Sequence, residues 1–384
     1  MTAYDVAVIG LGAMGSAALY HLARRGRRVI GMEQASPGHE GGSSHGESRI
    51  IRLAHYENPD YTPLVRRAYE LWHALEREAG ATLILPTGIL EAGRPGAMIV
   101  EGSLKAARDQ GLAHEVLSAG EANQRFPAFN LPGGWTALFQ PGAGILRADA
   151  AIRLHMAGAR AAGAEVRLGA VVTAIEPTRD GVRVVMGDGE SLSAAAAIVS
   201  AGPWIADLVP ELAPLLTLTR QPVAWFEPAR PAETTPGRMP VFLVEDETDA
   251  IYGFPDFGGS GVKAASHVHG RTLAHAADAR QDAGEADTAP IAQALRRFVP
   301  AAAGPLRGMK TCIYANTPDE EFIIDRSLAA SQIVFASACS GHGFKFASVF
   351  GELLADMATS EATPPALAAF SLSRFARASA NQAR

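Results

Sequence analysis

The chain has 384 residues, 48% hydrophobic and 19% charged, with 34 Lys and Arg against 40 Asp and Glu for a net charge of −6. That is ordinary globular composition, so disorder and fibrous repetition are excluded, and a nucleic-acid partner, which needs a basic excess, is not expected. The length predicts two domains or one large fold with an insertion, and two cysteines, Cys312 and Cys339, are too few for a disulfide framework, so a reducing, cytoplasmic setting is expected.

Val6 to Ile9 is a short unbroken apolar run, as a strand buried on both faces requires, and Tyr4-Asp5 leads straight into it with no sign of a secretory leader. Gly10-Leu11-Gly12-Ala13-Met14-Gly15 follows, then a helical stretch through Arg25 and a second buried strand, Val29 to Met32, ending at Glu33. This β-α-β opening predicts a parallel, doubly wound core sheet. The segment from Pro37 to Glu47 is too rich in Gly and Ser for a core element, whereas Leu64, Ala68, Leu71 and Leu75 give Tyr61 to Glu78 helical spacing. A surface helix is expected over Leu104 to Gln110.

Further on, Asp180-Gly181 and Asp188-Gly189 each sit between apolar or alternating runs, the signal of an antiparallel meander leading into a strand at Ala194 to Val199. The apolar stretch from Leu192 to Val209 is broken by Gly202, Pro203 and Asp207 and does not read as a transmembrane helix. Short strands and a Pro-rich link are expected from Gln221 to Thr311, with a surface helix or loop over Ala274 to Asp287. A last strand-loop-helix runs from Ile333 to Ala358 through Ser340-Gly341-His342-Gly343-Phe344-Lys345. The nucleotide-binding domain is therefore expected to be discontinuous (1–85, 146–220, 310–384) and interrupted twice by a mostly β substrate domain (86–145, 221–309).

The glycine turn carries the first chemical signal. Gly10 permits the tight turn, Gly12 lets backbone approach a pyrophosphate, Gly15 allows close helix–strand packing, and the helix N-terminus is partially positive. Glu33 stands where a carboxylate accepts ribose hydroxyls. The fingerprint alone does not separate NAD from FAD, but the meander and the second glycine loop favour a flavin. That loop opens a helix whose N-terminal dipole would face the pyrimidine end of the ring. Cys312, in Met309 to Tyr314, reads either as a small buried hydrophobe or as a nucleophile attached to a flavin methyl group. Arg49, Arg52, Lys263 and Lys345 taken singly are ordinary surface charges; together they could clamp a substrate carboxylate. His267 and His269 would share a strand face, but no third ligand follows at metal-site spacing, so no metal is expected.

These residues resemble the monomeric sarcosine oxidase and N-methyltryptophan oxidase family over nearly the whole chain. The likeness rests on Gly10 to Gly15, on His45-Gly46-Glu47-Ser48-Arg49-Ile50-Ile51-Arg52, on Tyr252-Gly253-Phe254-Pro255 and on Lys263. It continues in Cys312-Ile313-Tyr314, Asp319 to Asp325, Ser340 to Phe346 and Phe370 to Phe375. The resemblance implies a mixed α/β, D-amino-acid-oxidase-like or glutathione-reductase-like architecture, with a Rossmann-type FAD domain and a mostly β substrate domain. It implies FAD tethered through Cys312 and held by Gly10, Gly12, Gly15, Glu33, Ser43, His45, Ser48, Arg49, Gly341, His342, Gly343, Phe344 and Lys345. Arg52 and Lys345 would bind the substrate carboxylate, and Lys263 would activate oxygen beside the flavin. Tyr252, His267, Tyr314 and Leu243 would line the pocket. Ser44, Leu53-Ala54-His55-Tyr56 and Leu243 depart from the family's usual residues, which leaves the amine side chain open.

The reaction so implied is oxidation of a secondary, N-methyl or cyclic amino acid at a C–N bond, with O2 reduced to H2O2, by a monomer that needs neither membrane nor nucleic acid. Two other enzymes fit parts of the sequence: an NAD(P)-dependent hydroxyacid dehydrogenase, and an FAD dehydrogenase that uses an acceptor other than oxygen. A catalytically idle flavin-binding regulator or thiol redox sensor is the non-enzymatic reading.

Overall fold

A β-α-β unit opens the chain: β1 (Tyr4–Ile9), α1 (Ala13–Arg24) and β2 (Val29–Glu33). The structure is a computed structural model that describes residues 3–58, 61–247, 250–268, 270–280, 284–360 and 362–375. β1 lies parallel to β2, with Val6 beside Val29, and on its other edge parallel to Ser191–Val199, which is itself parallel to Ile333–Ser337. Val6 to Ile9 and all of β2 are buried on both faces, against α1 and the helices Ala148–Ala161 and Ala347–Thr359 on one side and against Val182, Val184, Met186 and the 205–212 segment on the other, which is why these strands are continuous apolar runs. The two Asp-Gly turns connect Val172–Thr178, Gly181–Met186 and Ser191–Val199 as the expected meander, and complete an eight-stranded sheet together with Glu165–Leu168 and Ile323–Arg326. α1 packs on the helix Ala347–Thr359 so closely that a Cβ on Gly351 would lie 2.4 Å from that of Ala17.

A second, nine-stranded and largely antiparallel sheet has Thr217–Phe226 and Leu306–Asn316 as its longest pair. Cys312 belongs to this sheet, opposite Gln221. The boundaries expected at 220 and 310 fall inside these two strands. A three-stranded sheet joins β3 (Ser48–Ile51) to Gly144–Arg147 and Ile84–Leu85, and presents Arg49 and Arg52 between the two large sheets.

Several elements differ in extent from the sequence reading. α2 (Tyr61–Ala79) is as expected, but Trp72, wholly buried, carries much of the packing alongside Leu64, Ala68 and Leu75, while Leu71 is only partly covered. The helix expected at 104–110 runs over Met98–Asp109. Over 274–287 the chain forms a short 3-10 turn, Ala276–Arg280, and the first residues of the helix Glu285–Phe298, with 281–283 outside the described residues. The strand before His267 ends at Ser266, so His267 sits in a bend, and His269 lies outside the described residues. Among the described residues no His, Cys, Asp and Glu group is arranged to hold a metal, and no helix is long and apolar enough to cross a membrane.

Candidate active site

One cavity extends from the glycine turn to the nine-stranded sheet. Of the residues that the family resemblance assigns to the cofactor, the substrate or the pocket, Gly15, His45 and Ser48 stand behind its wall and all the others line it. At the nucleotide end the three glycines divide their work. Gly10 has φ +84°, and a Cβ on Gly15 would sit 1.9 Å from the Gly10 carbonyl, so both are fixed by the protein's own backbone. Gly12, at the start of α1, would meet only Ser44 Oγ at 3.1 Å, so the space its missing side chain leaves belongs to the cavity. Ser44 Oγ accepts from Ala13 N at 3.2 Å, and Glu33 Oε2 accepts from Leu11 N at 2.9 Å. A glycine cradle, a helix N-terminus whose own N-cap, Gly12, has no side chain and a buried acid at the end of β2 fit the diphosphate and ribose of a dinucleotide.

The middle of the cavity is built by the loop before β3. Gly46 (φ +98°) and Glu47 (φ +68°) take left-handed conformations, uncommon for glutamate, and the surrounding contacts hold them there. Arg49 donates to the carbonyls of Ser43, His45 and Ser48, each at 2.8 Å, so its guanidinium shapes the loop. Lys263, 3% exposed, reaches in from the nine-stranded sheet and donates to Gly46 O (2.6 Å), Ser48 O (2.8 Å) and Ser48 Oγ (3.1 Å). Burial pushes its pKa well below the ordinary lysine range, with Arg49 pushing the same way. Three oxygen acceptors and the faces of Phe254 and Trp225, 4.7 and 5.7 Å from Nζ, favour the charged form.

Cys312 is buried, with Sγ 3.5 Å from His45 Nε2. Burial, helped by Arg49, lowers His45 to about 4, so at neutral pH the imidazole is uncharged, and its Nδ1 has no hydrogen-bond partner. Tyr314 hydrogen-bonds Tyr252, and burial raises both phenols. Gly341 (φ +87°) lies against Tyr314, where a Cβ would come within 2.8 Å of the ring. The second glycine loop thus needs its glycines for close approach, and it delivers His342 and Lys345 to the cavity.

The end of the cavity around Arg52 holds features the sequence reading missed. Arg52, 4% exposed, does not offer an unoccupied fork: Nη1 donates to Glu91 Oε1 (2.8 Å), and Nη2 donates to both oxygens of Glu57 (2.7 and 2.8 Å). The Arg52 guanidinium holds Glu57 well below the usual carboxylate range, against the opposing effect of burial. Glu91 is fully buried and is raised to about 7 by that burial, against Arg52, Ser103 and Gln140, which all donate to it. Lys345 Nζ donates to His342 O at 2.5 Å, and burial lowers Lys345 to about 7, with Glu57 pulling it up and Arg52 pushing it down. Tyr56 hydrogen-bonds His267, and the Arg52 guanidinium lies 5.1 Å from the Tyr56 ring. Glu91 had a legible signal, an acid inside the apolar run Ile89-Leu90-Glu91-Ala92-Gly93; Glu57, in a polar loop, had none.

Comparison with known proteins agrees with this geometry. The pattern of the FAD dependent oxidoreductase family matches residues 5–357. The chain is 37% identical to a monomeric sarcosine oxidase of Streptomyces avermitilis, covering 98% of this chain and 99% of that one. It is 35% identical to an N-methyl-L-tryptophan oxidase of Yersinia pestis, over 97% and 99%. Among solved structures it resembles NikD, described as an unusual amino acid oxidase essential for nikkomycin biosynthesis, with a TM-score of 0.85 at 25% identity over 96% of this chain and 97% of that one. With a dinucleotide cradle opening onto a buried, cation-lined chamber, and with relatives matched from end to end, this chain belongs to the FAD-dependent oxidoreductase family that includes the monomeric sarcosine oxidases and N-methyltryptophan oxidases.

Proposed function

We propose that the protein oxidises a secondary amino acid, N-methylated or cyclic, at a C–N bond, with FAD tethered to Cys312 and O2 as electron acceptor. One observation carries the reading: Gly10, Gly12 and Glu33 share a single cavity with Cys312, Lys263, Arg52 and Lys345. When bound, FAD supplies the hydride-accepting ring. The chain's own residues hold the substrate against it. Arg52 and Lys345 take the carboxylate, Tyr252, Tyr314 and Leu243 pack around the carbon skeleton, and the Tyr56–His267 pair bounds the chamber. A substrate amine must lose its proton before its lone pair can assist C–H cleavage, and the cations around it lower its proton affinity. Water is excluded by the buried walls, which strengthens every charged contact inside.

Anaerobic mixing of the purified holoenzyme with a panel of secondary amino acids tests this reading. Bleaching of the flavin band by at least one of them, and stoichiometric H2O2 once air is admitted, are expected. A flavin that no amino acid reduces overturns the reaction, and reduction without peroxide on reoxidation overturns the acceptor. For the tether, acid-precipitated protein should stay yellow and a Cys312→Ala variant should lose its colour; a colourless wild-type precipitate rejects the covalent link.

A further inference from the structure

The pairing of Arg52 is asymmetric. Covalent geometry puts Nε and Nη2 on one edge of the guanidinium and Nη1 on the far corner. Glu91 occupies Nη1, Glu57 is held through Nη2 alone, and buried Nε has no hydrogen-bond partner. Arg52 and Glu57 line the cavity; Glu91 lies behind it. Glu91 is itself fixed from two further sides, by Ser103 Oγ at 3.0 Å and Gln140 Nε2 at 2.6 Å, on a strand in the nine-stranded sheet. Gln140 in turn accepts from Ala54 N at 3.2 Å, so the anchor is tied to the segment that carries Arg52.

We propose that Glu91 is a positioning residue for the carboxylate site: by holding Nη1 from behind the wall, it keeps Glu57 from gripping Arg52 with a two-nitrogen fork and reserves the Nε–Nη2 edge for the substrate carboxylate. A carboxylate shared between two guanidinium nitrogens is bound more strongly than one resting on a single nitrogen. With Nη1 taken, Glu57 rests on one nitrogen instead of two, so it is an internal occupant that an incoming carboxylate can displace, and the edge it vacates includes the unpartnered Nε. Without Glu91, Arg52 is free to pair with Glu57 through both Nη atoms, and the internal carboxylate competes with the substrate. This rests on the amino-acid reading above and adds the residue that makes its carboxylate site exchangeable.

The probe is cyclopentanecarboxylate, the carbocyclic counterpart of a cyclic secondary amino acid, with cyclopentanecarboxamide as the neutral control; binding to the holoenzyme is read by calorimetry. Glu91→Leu, and Glu91→Gln should the first variant fold poorly, are expected to raise the Kd for the carboxylate, and the KM for an amino acid that bleaches the flavin, about tenfold. The expected change in kcat is within about twofold, and carboxamide binding should stay unchanged. Glu57→Gln should shift Kd the opposite way, and adding it to the Glu91 variant should restore affinity. A merely structural role for Glu91 would not be rescued by removing Glu57. The proposal is overturned if the Glu91 variants bind the carboxylate as wild type does, if Glu57→Gln fails to restore it, or if carboxamide binding falls in parallel. Wild-type enzyme that binds the carboxylate but is reduced by no amino acid overturns the proposed reaction and leaves the Glu91 result standing; wild type that binds no carboxylate overturns both.

Discussion

Lys345 shows how a single buried charge sets a pH window. Its pKa, brought down to about 7 by burial, lies far below the roughly 10.4 of a lysine in an unfolded chain. Glu57 pulls toward the charged form, Arg52 pushes away from it, and His342, lowered to about 3, is neutral throughout the working range. A carboxylate ligand that needs the ammonium should therefore bind more weakly as pH rises above about 7, by up to tenfold per unit, and Lys345→Met should flatten the profile. Calorimetric titration with cyclopentanecarboxylate from pH 6 to 9 checks this, and a wild-type profile without slope would remove Lys345 from the site. Stability follows the other sign. Between the folded and unfolded values the unfolded chain holds the extra proton, so stability rises with pH across roughly 7 to 10.4 from this residue, and below that window its cost is constant.

At the scale of elements, the contact between α1 and the helix Ala347–Thr359 separates packing from propensity. Gly351 lies mid-helix, where alanine is ordinarily preferred by about 1 kcal/mol. Yet a Cβ there would meet Ala17 Cβ at 2.4 Å and Ala17 C at 2.6 Å, so one helix must shift. Gly351→Ala should destabilise the protein by about 1–3 kcal/mol, as overpacking does. Chemical denaturation measures it, and a stabilised variant would show that the two helices have slack. Elements of this kind differed in how far the sequence revealed them. β1 and β2 were legible because burial on both faces forces unbroken apolar runs, and the meander because its turns require Asp-Gly. The start of the helix Met98–Asp109 was not, because its N-cap, Ala97, has no side-chain capping bond and so leaves no capping residue to read. The loop before β3 was readable as a loop but not as a shape. Its left-handed Gly46 and Glu47 are held by Arg49 and by Lys263, and the latter's contacts cross more than two hundred residues of sequence. The pairing of Arg52 with Glu91 across 39 residues was invisible for the same reason.

For the molecule as a whole, the two large sheets meet at the cavity and each supplies half of the site. The parallel sheet brings the glycine turn and Glu33; the antiparallel sheet brings Cys312, Lys263, Tyr252 and the anchor of Arg52. Lys263 is the clearest bridge, because its ammonium leaves the antiparallel sheet to bind carbonyls of the loop that follows the nucleotide-binding unit. Two consequences of Lys263→Met can be told apart. Gly46 O and Ser48 O each lose a charged donor, which should cost about 1–3 kcal/mol and lower the thermal midpoint. If the buried charge also stabilises negative charge developing on oxygen, reoxidation of the reduced enzyme should slow by about 10²-fold or more. Anaerobic reduction by the amino acid, whose carboxylate is proposed to sit on Arg52 and Lys345, should change by less than about tenfold. Stopped-flow measurement of the two half-reactions separates them: equal slowing would make Lys263 a loop brace, whereas selective loss of the oxygen step would show that the residue joining the sheets also serves the second half of the reaction.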